Sequence, residues 1–442
     1  MIAVKDGILR KLQPLFVVKL KMLRYNELMD EISRYAVGVD VGTSSVRAVV
    51  ASVNREGALN VIGYGEAPNS GMRKGVVANL TGPAQAIDRA LAEVEQMSGY
   101  EVNSASLSIN GAQIVSTRTE GMIAVGANEH EITGADLTRV ENVALQGRIP
   151  ANQEILQVVP LQYVLDGQHG IKDPLGMLGS RLEMQANVVS TLSPSYVNLV
   201  NAVEGMKIPL KAERVVPSVV ASARAVLTER QRENGVAVID IGAATTGVAV
   251  YEENDLQYIG VVPIGSNNIT NDLAVMLAVD TEVAEELKRR FATGNFGANE
   301  NSVVIRWRGK DLHFERYQID DVVRARLEEI MEHVRKELRR AKYEQKLPEG
   351  VVLTGGGARM KEIDKFVRET LLMSVKIGSP VGLSGVADAI EKPEFAAAVG
   401  LMLLSADGGP TVSQKVQRKK SKKKEKGVKG AGGWVKKIFG KF

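Results

Sequence analysis

The sequence contains no cysteine in its 442 residues, which excludes disulfide bonds and thiolate metal sites. Its four histidines, His130, His169, His313 and His333, show no paired spacing typical of metal ligands. No apolar run approaches the roughly 20 residues that a membrane-spanning helix needs. We therefore expect neither a zinc site nor a transmembrane segment.

The N-terminal residues lack the features of a secretion signal. An apolar run at 15–18 is followed by Lys19 and Lys21, and no small-residue cleavage site comes after it. Met22 and Met29 are alternative start residues, because the chain after them runs directly into the first predicted strand. We expect residues 1–33 to be a poorly ordered or mis-assigned N-terminal extension.

The composition otherwise indicates a folded protein of at least two domains. Hydrophobic residues make up 44% of the chain and charged residues 24%, as in ordinary globular proteins. The charge is uneven, because residues 411–442 contain twelve Lys or Arg and one acidic residue, which gives +11. Since the whole chain carries +4, residues 1–410 carry −7. We expect the protein to meet anionic surfaces through its C-terminus.

Residues 36–50, AVGVDVGTSSVRAVV, predict a β-hairpin whose turn is able to hold phosphate groups. Two apolar runs flank a turn made of glycine and small hydroxyl residues. Such a turn lets backbone N–H groups approach a polyphosphate, and the hydroxyls supply further donors. The predicted nucleotide-binding residues of this hairpin are Asp40, Gly42, Thr43, Ser44, Ser45 and Arg47.

The same pattern returns at residues 236–250, VAVIDIGAATTGVAV, and two such hairpins are able to clamp one nucleotide. An aspartate before each turn would be repelled by phosphates unless a divalent cation lay between them. Asp40 and Asp240 therefore predict Mg²⁺ bound through its waters, although either hairpin alone also fits an ordinary Asp-x-Gly turn. The predicted nucleotide-binding residues here are Asp240, Gly242, Ala243, Ala244, Thr245 and Thr246.

A third stretch strengthens the nucleotide interpretation. Residues 351–358, VVLTGGGA, predict a buried strand that ends in Gly355, Gly356 and Gly357 before a helix at 360–371. Backbone without side chains is able to lie flat against an adenosine. The order of these three elements resembles the actin, sugar-kinase and DnaK-like ATPases, which implies ATP as the ligand. That resemblance also places Glu285 and Lys288 at the ribose, whereas their spacing alone favours a surface ion pair.

A loop in the middle of the chain carries a more specific resemblance. Residues 165–177, LDGQHGIKDPLGM, followed by Arg181-Leu182-Glu183, resemble the FtsA family of bacterial cell-division proteins, and the likeness covers residues 34–405 and the tail. It implies an α/β, actin-like (ribonuclease H-like) two-domain ATPase fold with an inserted subdomain, 1C. The predicted boundaries are 1–33 for the extension, 34–102 and 191–233 for subdomain 1A, 103–190 for 1C, 234–270 and 351–405 for 2A, 271–350 for 2B, 406–430 for a basic linker and 431–442 for an amphipathic helix.

The resemblance implies an adaptor function. FtsA proteins tether filaments of the tubulin-like protein FtsZ to the cytoplasmic face of the inner membrane at the division site, self-assemble, and work with other division proteins. It implies that the acidic C-terminal tail of FtsZ docks on subdomain 2B, where a helix near 320–343 has outward-facing arginines. On the pattern alone, those arginines are usually a solvated face.

The end of the chain predicts a membrane anchor. Its low-complexity basic linker cannot bury enough apolar surface to fold. At about 100° per residue, the segment that follows separates an apolar arc from a basic one, which a nucleic-acid-binding tail would not explain. We expect a helix that forms on anionic membranes, where each nearby lysine contributes roughly 1 kcal/mol. The residues of the apolar arc are Trp434, Val435, Ile438, Phe439 and Phe442, and the basic residues are Lys436, Lys437 and Lys441.

Two other members of the superfamily fit the same sequence features. Pilus-assembly ATPases related to FtsA share the hairpins and the extra subdomain, and a small-molecule kinase of the same superfamily would hold a second substrate.

Many FtsA and DnaK-like sequences read DIGGGTTD where residues 240–247 read DIGAATTG. The alanine methyl groups restrict the backbone, and residue 247 lacks a carboxylate that orients water or metal. We expect ATP binding with weak or absent hydrolysis.

Overall fold

The computed structural model of the protein describes residues 32–126, 130–206, 209–296 and 302–408. The predicted amphipathic helix at 431–442, most of the basic linker and most of the N-terminal extension lie outside these residues. No helix in the described part of the chain has the length and apolar character needed to cross a membrane.

The chain begins with a sheet and one covering helix. Its elements are β1 (Ile32–Val41), β2 (Ser45–Asn54), β3 (Leu59–Pro68), β4 (Met72–Arg73), β5 (Val76–Val77), α1 (Thr81–Ser98) and β6 (Ser104–Ile109). β1 and β2 pair antiparallel around the first glycine turn, which confirms the first predicted hairpin. α1 buries Ile87, Leu91 and Val94 at helical spacing against β2 and β3.

A smaller unit follows, and we call residues 115–192 the insert. Its elements are β7 (Val115–Ala124), β8 (His130–Glu131), α2 (Gly134–Leu145), β9 (Gln153–Leu165), β10 (Gln168–Ile171), β11 (Leu178–Gly179) and β12 (Arg181–Leu192). The main sheet of the insert is antiparallel, with the order β10-β9-β12-β7. α2 covers one face of it and buries Val140 and Ala144 there.

The chain then returns to the first sheet and crosses to a second one. Its elements are α3 (Ser193–Glu204), β13 (Lys211–Pro217), α4 (Ser218–Val226), α5 (Glu229–Asn234), β14 (Val236–Ile241), β15 (Thr246–Glu252) and β16 (Asp255–Val262). β13 runs parallel to β6, whereas β14 and β15 form the second predicted hairpin, which is thereby confirmed.

The remaining elements complete the second half and lead back to the first. They are α6 (Ser266–Met276), α7 (Thr281–Phe291), β17 (Ser302–Trp307), β18 (Lys310–Glu315), α8 (Arg316–Ala341), β19 (Val351–Thr354), α9 (Ile363–Leu371), β20 (Val375–Ile377), β21 (Ser384–Gly385) and α10 (Ala396–Asp407). The helix predicted at 360–371 begins only at Ile363, because Gly356–Arg359 form a 3₁₀ turn and Glu362 adopts a φ of 55°.

Two large sheets form the centres of two lobes. The sheet of lobe 1 has the order β13-β6-β1-β2-β3-β21, and the sheet of lobe 2 has the order β16-β15-β14-β19-β20. α4 leads from lobe 1 into lobe 2, and α10 returns to pack on β1. These two helices also pack against each other, so they form the connection about which the lobes are joined. The turns of both hairpins face the space between the lobes.

Candidate functional site

The two hairpin turns and the triple glycine line one cleft between the lobes, with a volume of about 540 Å³. The structure therefore brings together residues that lie up to about 300 positions apart in the sequence. The predicted residues that line the cleft are Asp40, Gly42, Thr43, Ser44, Ser45, Arg47, Asp240, Gly242, Ala243, Thr245, Glu285, Lys288, Gly355, Gly356 and Gly357.

The first turn is held open by hydrogen bonds from the loop that follows β3. Asn69 donates its side-chain N–H to the carbonyl of Gly42 at 2.8 Å and its backbone N–H to the carbonyl of Ser44 at 2.9 Å. Gly75 donates its backbone N–H to Thr43 Oγ1 at 3.1 Å. Because the Thr43 oxygen only accepts in this contact, its hydroxyl proton is still available to a phosphate oxygen.

The second turn is closed by its own backbone. Gly242 donates its N–H to the carbonyl of Thr245 at 2.9 Å, and the start of α6 caps the turn through Ser266 N–H to the carbonyl of Gly242 at 2.9 Å. Asn267 N–H donates to the carbonyl of Ala243 at 2.7 Å. The N-terminus of α6 therefore lies directly beside the turn, where its dipole favours an anion.

Two predicted residues of this turn lie outside the cleft. Thr246 is fully buried and donates its hydroxyl to the carbonyl of Ile264 at 2.9 Å, so this hydroxyl does not reach a ligand. The backbone of Ala244 packs against Gly265, where a Cβ atom would lie 2.7 Å from Ala244 N. Sequence spacing did not reveal these contacts, because they depend on how residues 263–265, between β16 and α6, fold back over the turn.

The structure also changes the interpretation of position 247, where the sequence lacks the carboxylate of the family pattern. A Cβ atom at Gly247 would lie 2.7 Å from Cβ of Val219 on α4, so a carboxylate there has no room in this chain. The structure therefore has no vacant space at position 247 for the missing acid, because buried Val219 lies against this glycine.

The two aspartates at the floor of the cleft are poorly solvated. Burial raises the pKa of Asp40, and its hydrogen bond with Ser108 and the charge of Arg47 only partly oppose this shift. Burial, with a smaller contribution from the charge of Asp40, raises the pKa of Asp240 to about 6. Ser222 donates its hydroxyl to Asp240 Oδ2 at 2.6 Å and lowers this pKa. Two like charges close together in a desolvated site call for a cation.

The aspartates fit Mg²⁺ that takes its other ligands from phosphates and water. No group of three or more potential side-chain ligands occurs in the described part of the chain, so the protein does not offer a complete cage. Mg²⁺ commonly binds through one or two carboxylates, several waters and the substrate phosphates. Asp40 and Asp240 supply the carboxylates of such a site.

Two of the three glycines are required by close packing, whereas the third is not. Gly355 has a φ of +84°, and a Cβ atom there would lie 2.2 Å from Asp240 Oδ1. At Gly357, a Cβ atom would lie 2.3 Å from Ile241 Cγ2. At Gly356, in contrast, a Cβ atom would meet nothing within 4 Å. The outer glycines let the strand end press against the second hairpin, and the middle one presents bare backbone to the cleft.

Glu285 and Lys288 form more than a surface ion pair. Lys288 Nζ lies 2.7 Å from Glu285 Oε2, and the lysine side chain is only 10% exposed. Thr270 donates its hydroxyl to Glu285 Oε2 at 2.6 Å and accepts from Lys288 Nζ at 2.8 Å. Burial lowers the pKa of Lys288. Burial opposes ionisation of Glu285 too, but hydrogen bonds from Lys288 and Thr270 outweigh it, and the pKa of Glu285 lies below its usual value.

Sequence reasoning predicted Arg47 but missed its partner Glu66 and other polar residues around the aspartates. Arg47 pairs in register with Asp40 on one side and Glu66 on the other, and Arg47 Nη2 lies 2.6 Å from Glu66 Oε1. Ser108 and Ser222 reach the two aspartates from β6 and α4. The available signal was the serines that interrupt two partly apolar runs, three of them at 104–109 and two at 215–226. Other cleft residues that we did not predict are Asn110, Ser218, Asn267 and Arg359.

The arginines of α8 have partners within the protein. Arg326 Nε lies 2.7 Å from Asp272, Arg339 Nε lies 2.7 Å from Glu344, and Arg340 Nη1 lies 2.5 Å from Glu337. Arg335 donates to the carbonyl of Thr370, and Arg324 lies 4.5 Å from the ring centre of Phe296. These contacts favour the interpretation of a structured, solvated face over a set of free docking cations.

The buried carboxylate of Asp240 predicts a stability effect. Asp240→Asn should raise the free energy of unfolding at pH 7.5, in EDTA without added nucleotide, by roughly 1–3 kcal/mol. The reason is that a carboxyl with a pKa raised from 3.8 to about 6 destabilises the folded state when it is ionised. The difference should shrink as the pH falls from 6 towards 4, where the group is protonated in the folded state. Denaturant unfolding at several pH values measures it.

The matched control is Asp311→Asn, which makes the same chemical change on the exposed β18. It should change stability little and without this pH dependence. An Asp240→Asn protein that is less stable at pH 7.5 than the unmodified protein would show that Ser222 and Arg47 stabilise the carboxylate more than burial opposes it.

Comparison with known families identifies the two main parts of the chain. The model described as "Cell division protein FtsA" matches residues 237–400, and the one described as "SHS2 domain inserted in FTSA" matches residues 111–190, which contain most of the insert. The cell division protein FtsA of Pseudomonas aeruginosa is 36% identical over 371 residues, covering 83% of this chain and 88% of that protein. FtsA of Escherichia coli K12 is 30% identical over 417 residues, covering 92% and 98%.

Solved structures share the fold at lower identity. A "PilM-PilN type IV pilus biogenesis complex" superposes with a TM-score of 0.62 at 18% identity, covering 84% of this chain and 99% of that one. This similarity concerns the fold alone, whereas the relatives at 30–36% identity are FtsA proteins. The actin-like two-lobed fold with an inserted subdomain, which the sequence predicted, is confirmed. The chain belongs to the FtsA family of cell-division proteins.

Proposed function

We propose that this protein is an ATP-binding, membrane-anchoring adaptor of the bacterial division ring that tethers FtsZ filaments to the cytoplasmic membrane and assembles with copies of itself. The observation that carries the nucleotide part is the convergence of two Asp-x-Gly turns and a triple glycine in one cleft. Family membership supports the cell-division part. It also favours this proposal over the pilus-assembly alternative.

Each group of cleft residues has a place in this proposal. The turns at 42–45 and 242–245 hold the phosphates with backbone N–H groups and hydroxyls. Asp40 and Asp240 hold Mg²⁺, which neutralises the phosphates when it is bound. Glu285 and Lys288 accept and donate hydrogen bonds at the ribose. The bare backbone of Gly356 lies against the base, because no side chain keeps the ring away.

We propose that the site binds ATP but turns it over slowly or not at all. A water-activating carboxylate at position 247 is absent, and Val219 occupies the space such a side chain needs. A kinase requires rapid phosphoryl transfer, whereas an adaptor that uses ATP to set its assembly state does not. The cleft therefore suits a nucleotide-dependent switch better than the small-molecule kinase alternative.

The contacts with lipid and with FtsZ are assigned to different parts of the chain. The amphipathic segment at 431–442, with its basic linker, is the proposed anchor on anionic membranes at the division site. The unit built from α6, α7 and α8 is the proposed docking region for the FtsZ tail. Because the arginines of α8 are already paired, an acidic tail must replace existing ion pairs there.

The nucleotide assignment predicts a metal-dependent affinity. The unmodified protein should bind ATP in Mg²⁺ buffer, and Asp40→Asn combined with Asp240→Asn should lower the affinity by at least about tenfold, or more than 1.4 kcal/mol. Without these carboxylates, nothing holds the cation that bridges to the phosphates. Calorimetric titration measures the dissociation constant in Mg²⁺ and in EDTA. Unchanged binding by the double variant would contradict the assignment of the cleft.

The anchor assignment predicts loss of membrane binding after a short deletion. Removal of residues 434–442 should release the protein from anionic vesicles at moderate salt, because it removes the apolar insertion. The remaining basic linker should bind only weakly and in a salt-sensitive way. Co-sedimentation with vesicles measures the bound fraction. A full-length variant in which only Trp434, Ile438 and Phe442 are changed to Ser should also be released. Because it keeps every lysine, this variant separates apolar insertion from charge.

A further inference from the structure

The insert contacts lobe 2 at the end of its sheet that is far from the phosphate turns. β16 is the edge strand of this sheet and packs against β7, β9 and β12 of the insert. Val262 of β16 pairs with Thr246 beside the second turn. Leu256 lies about 20 Å further along the same strand, at roughly 3.3 Å per residue. The contact between insert and lobe 2 is therefore remote from the cleft.

Two neighbouring side chains of the insert bind consecutive residues of β16. Arg118 on β7 and Asn187 on β12 are cross-strand partners. Asn187 is fully buried and donates its side-chain N–H to the carbonyl of Leu256 at 2.9 Å. Arg118 Nη2 donates to the carbonyl of Gln257 at 3.0 Å and to its side-chain oxygen at 2.8 Å. The insert thus holds the backbone of lobe 2 directly.

A lysine of the insert adds an ionic contact with the turn before β16. Lys172 Nζ donates to the carbonyl of Leu161 in the insert at 2.9 Å. The same nitrogen lies 2.8 Å from Asp255 Oδ2 and 2.8 Å from Glu253 Oε2 in lobe 2. We call Arg118, Lys172 and Asn187 of the insert, together with residues 253–257 of lobe 2, the insert joint. Leu161 and Leu256 also belong to the buried apolar cluster that runs through both lobes and the insert.

The helices that connect the lobes pack on both central sheets and reach the residues of the cleft. α4 packs on β14 and β15, and its Ser222 binds Asp240. α10 packs closely on β1, where a Cβ atom at Gly38 would lie 2.3 Å from the carbonyl oxygen of Ala398. The insert is continuous with lobe 1 through β6 and α3. The second turn and residues 253–257 lie at opposite ends of β16, and α4 and α10 form the connection about which the lobes can rotate.

We propose that the insert joint is a strut that opposes closure of the cleft, and that it couples nucleotide binding to the position of the insert. The hydrogen bonds of the joint have ordinary lengths of 2.8–3.0 Å. A closing rotation that moves residues 253–257 away from the insert therefore lengthens them. By linkage, whatever weakens the joint strengthens nucleotide binding, and nucleotide weakens the joint by the same factor. This inference rests on the proposed binding of ATP and assigns a regulatory role to Arg118, Lys172 and Asn187.

The first test reverses one charge at the joint of the full-length protein. Lys172→Glu places a third acid beside Asp255 and Glu253, and it should lower the Kd for MgATP by about five- to tenfold. Lys172→Glu combined with Asp255→Lys restores an opposite-charge pair and should return the Kd towards that of the unmodified protein. Arg181→Glu is the matched control, because Arg181 pairs with Glu183 inside the insert and should leave the Kd unchanged.

The second test measures the movement directly. Since the chain contains no cysteine, spin labels can be placed at Gln168→Cys in the insert and Lys376→Cys in lobe 2, both exposed. MgATP should lengthen the distance between the labels. In the Lys172→Glu protein the longer distance should appear at a lower nucleotide concentration. The labelled pair without the charge reversal serves as the reference, and circular dichroism verifies that each variant is folded.

The outcomes separate this inference from the proposed function. Failure of the unmodified protein to bind MgATP would contradict the proposed function itself. Binding by the unmodified protein with an equal Kd in Lys172→Glu, or with weaker binding in that variant, would overturn the strut alone. An equally large effect of Arg181→Glu would also overturn it, because the effect would then not come from the joint. A label distance that does not respond to MgATP would do the same.

Discussion

The structure depends on two aspartates that share a poorly solvated cleft floor. Each ends the first strand of a hairpin, and the fold brings them together from opposite lobes. Burial and mutual repulsion oppose their ionisation, so the protein alone does not make this arrangement favourable. Arg47, Ser108 and Ser222 offset part of the cost. In the proposed function, a bound cation with phosphates would offset the rest.

The close packing around the buried aspartates also explains the glycine at position 355. Gly355 presses against Asp240 so closely that even a methyl group would collide with its carboxylate. At Gly247, a Cβ atom would lie 2.7 Å from Cβ of Val219 on α4. In the proposed function the cleft binds a nucleotide, and position 247 has no room for a carboxylate that would activate water.

Much of the fold followed from local pattern. The alternation of apolar runs and glycine turns predicted both hairpins, and the helix expected near 320–343 is α8, which buries Ile330, Val334 and Leu338. These signals are visible in sequence because each depends on residues that are close along the chain. The family resemblance supplied what pattern could not, namely the presence and position of the insert.

The parts that escaped prediction depend on contacts between distant segments. Thr246 turns its hydroxyl to Ile264, and the partners of the aspartates come from β6 and α4. The spacing of Glu285 and Lys288 indicates a surface pair, because nothing in that spacing shows that Lys288 is buried against α6. The contact of the insert with β16 is of the same kind. Tertiary packing decided the chemistry of these residues.

The central claim, that this protein links FtsZ filaments to a membrane, is most directly tested by reconstitution. Anionic vesicles carrying the full chain with MgATP are mixed with FtsZ filaments, and filament binding is measured by co-sedimentation and microscopy. The account predicts recruitment of intact FtsZ, and no recruitment of FtsZ that lacks its acidic C-terminal tail. Filaments that stay in solution in the presence of membrane-bound protein, or that bind equally without the tail, would contradict it.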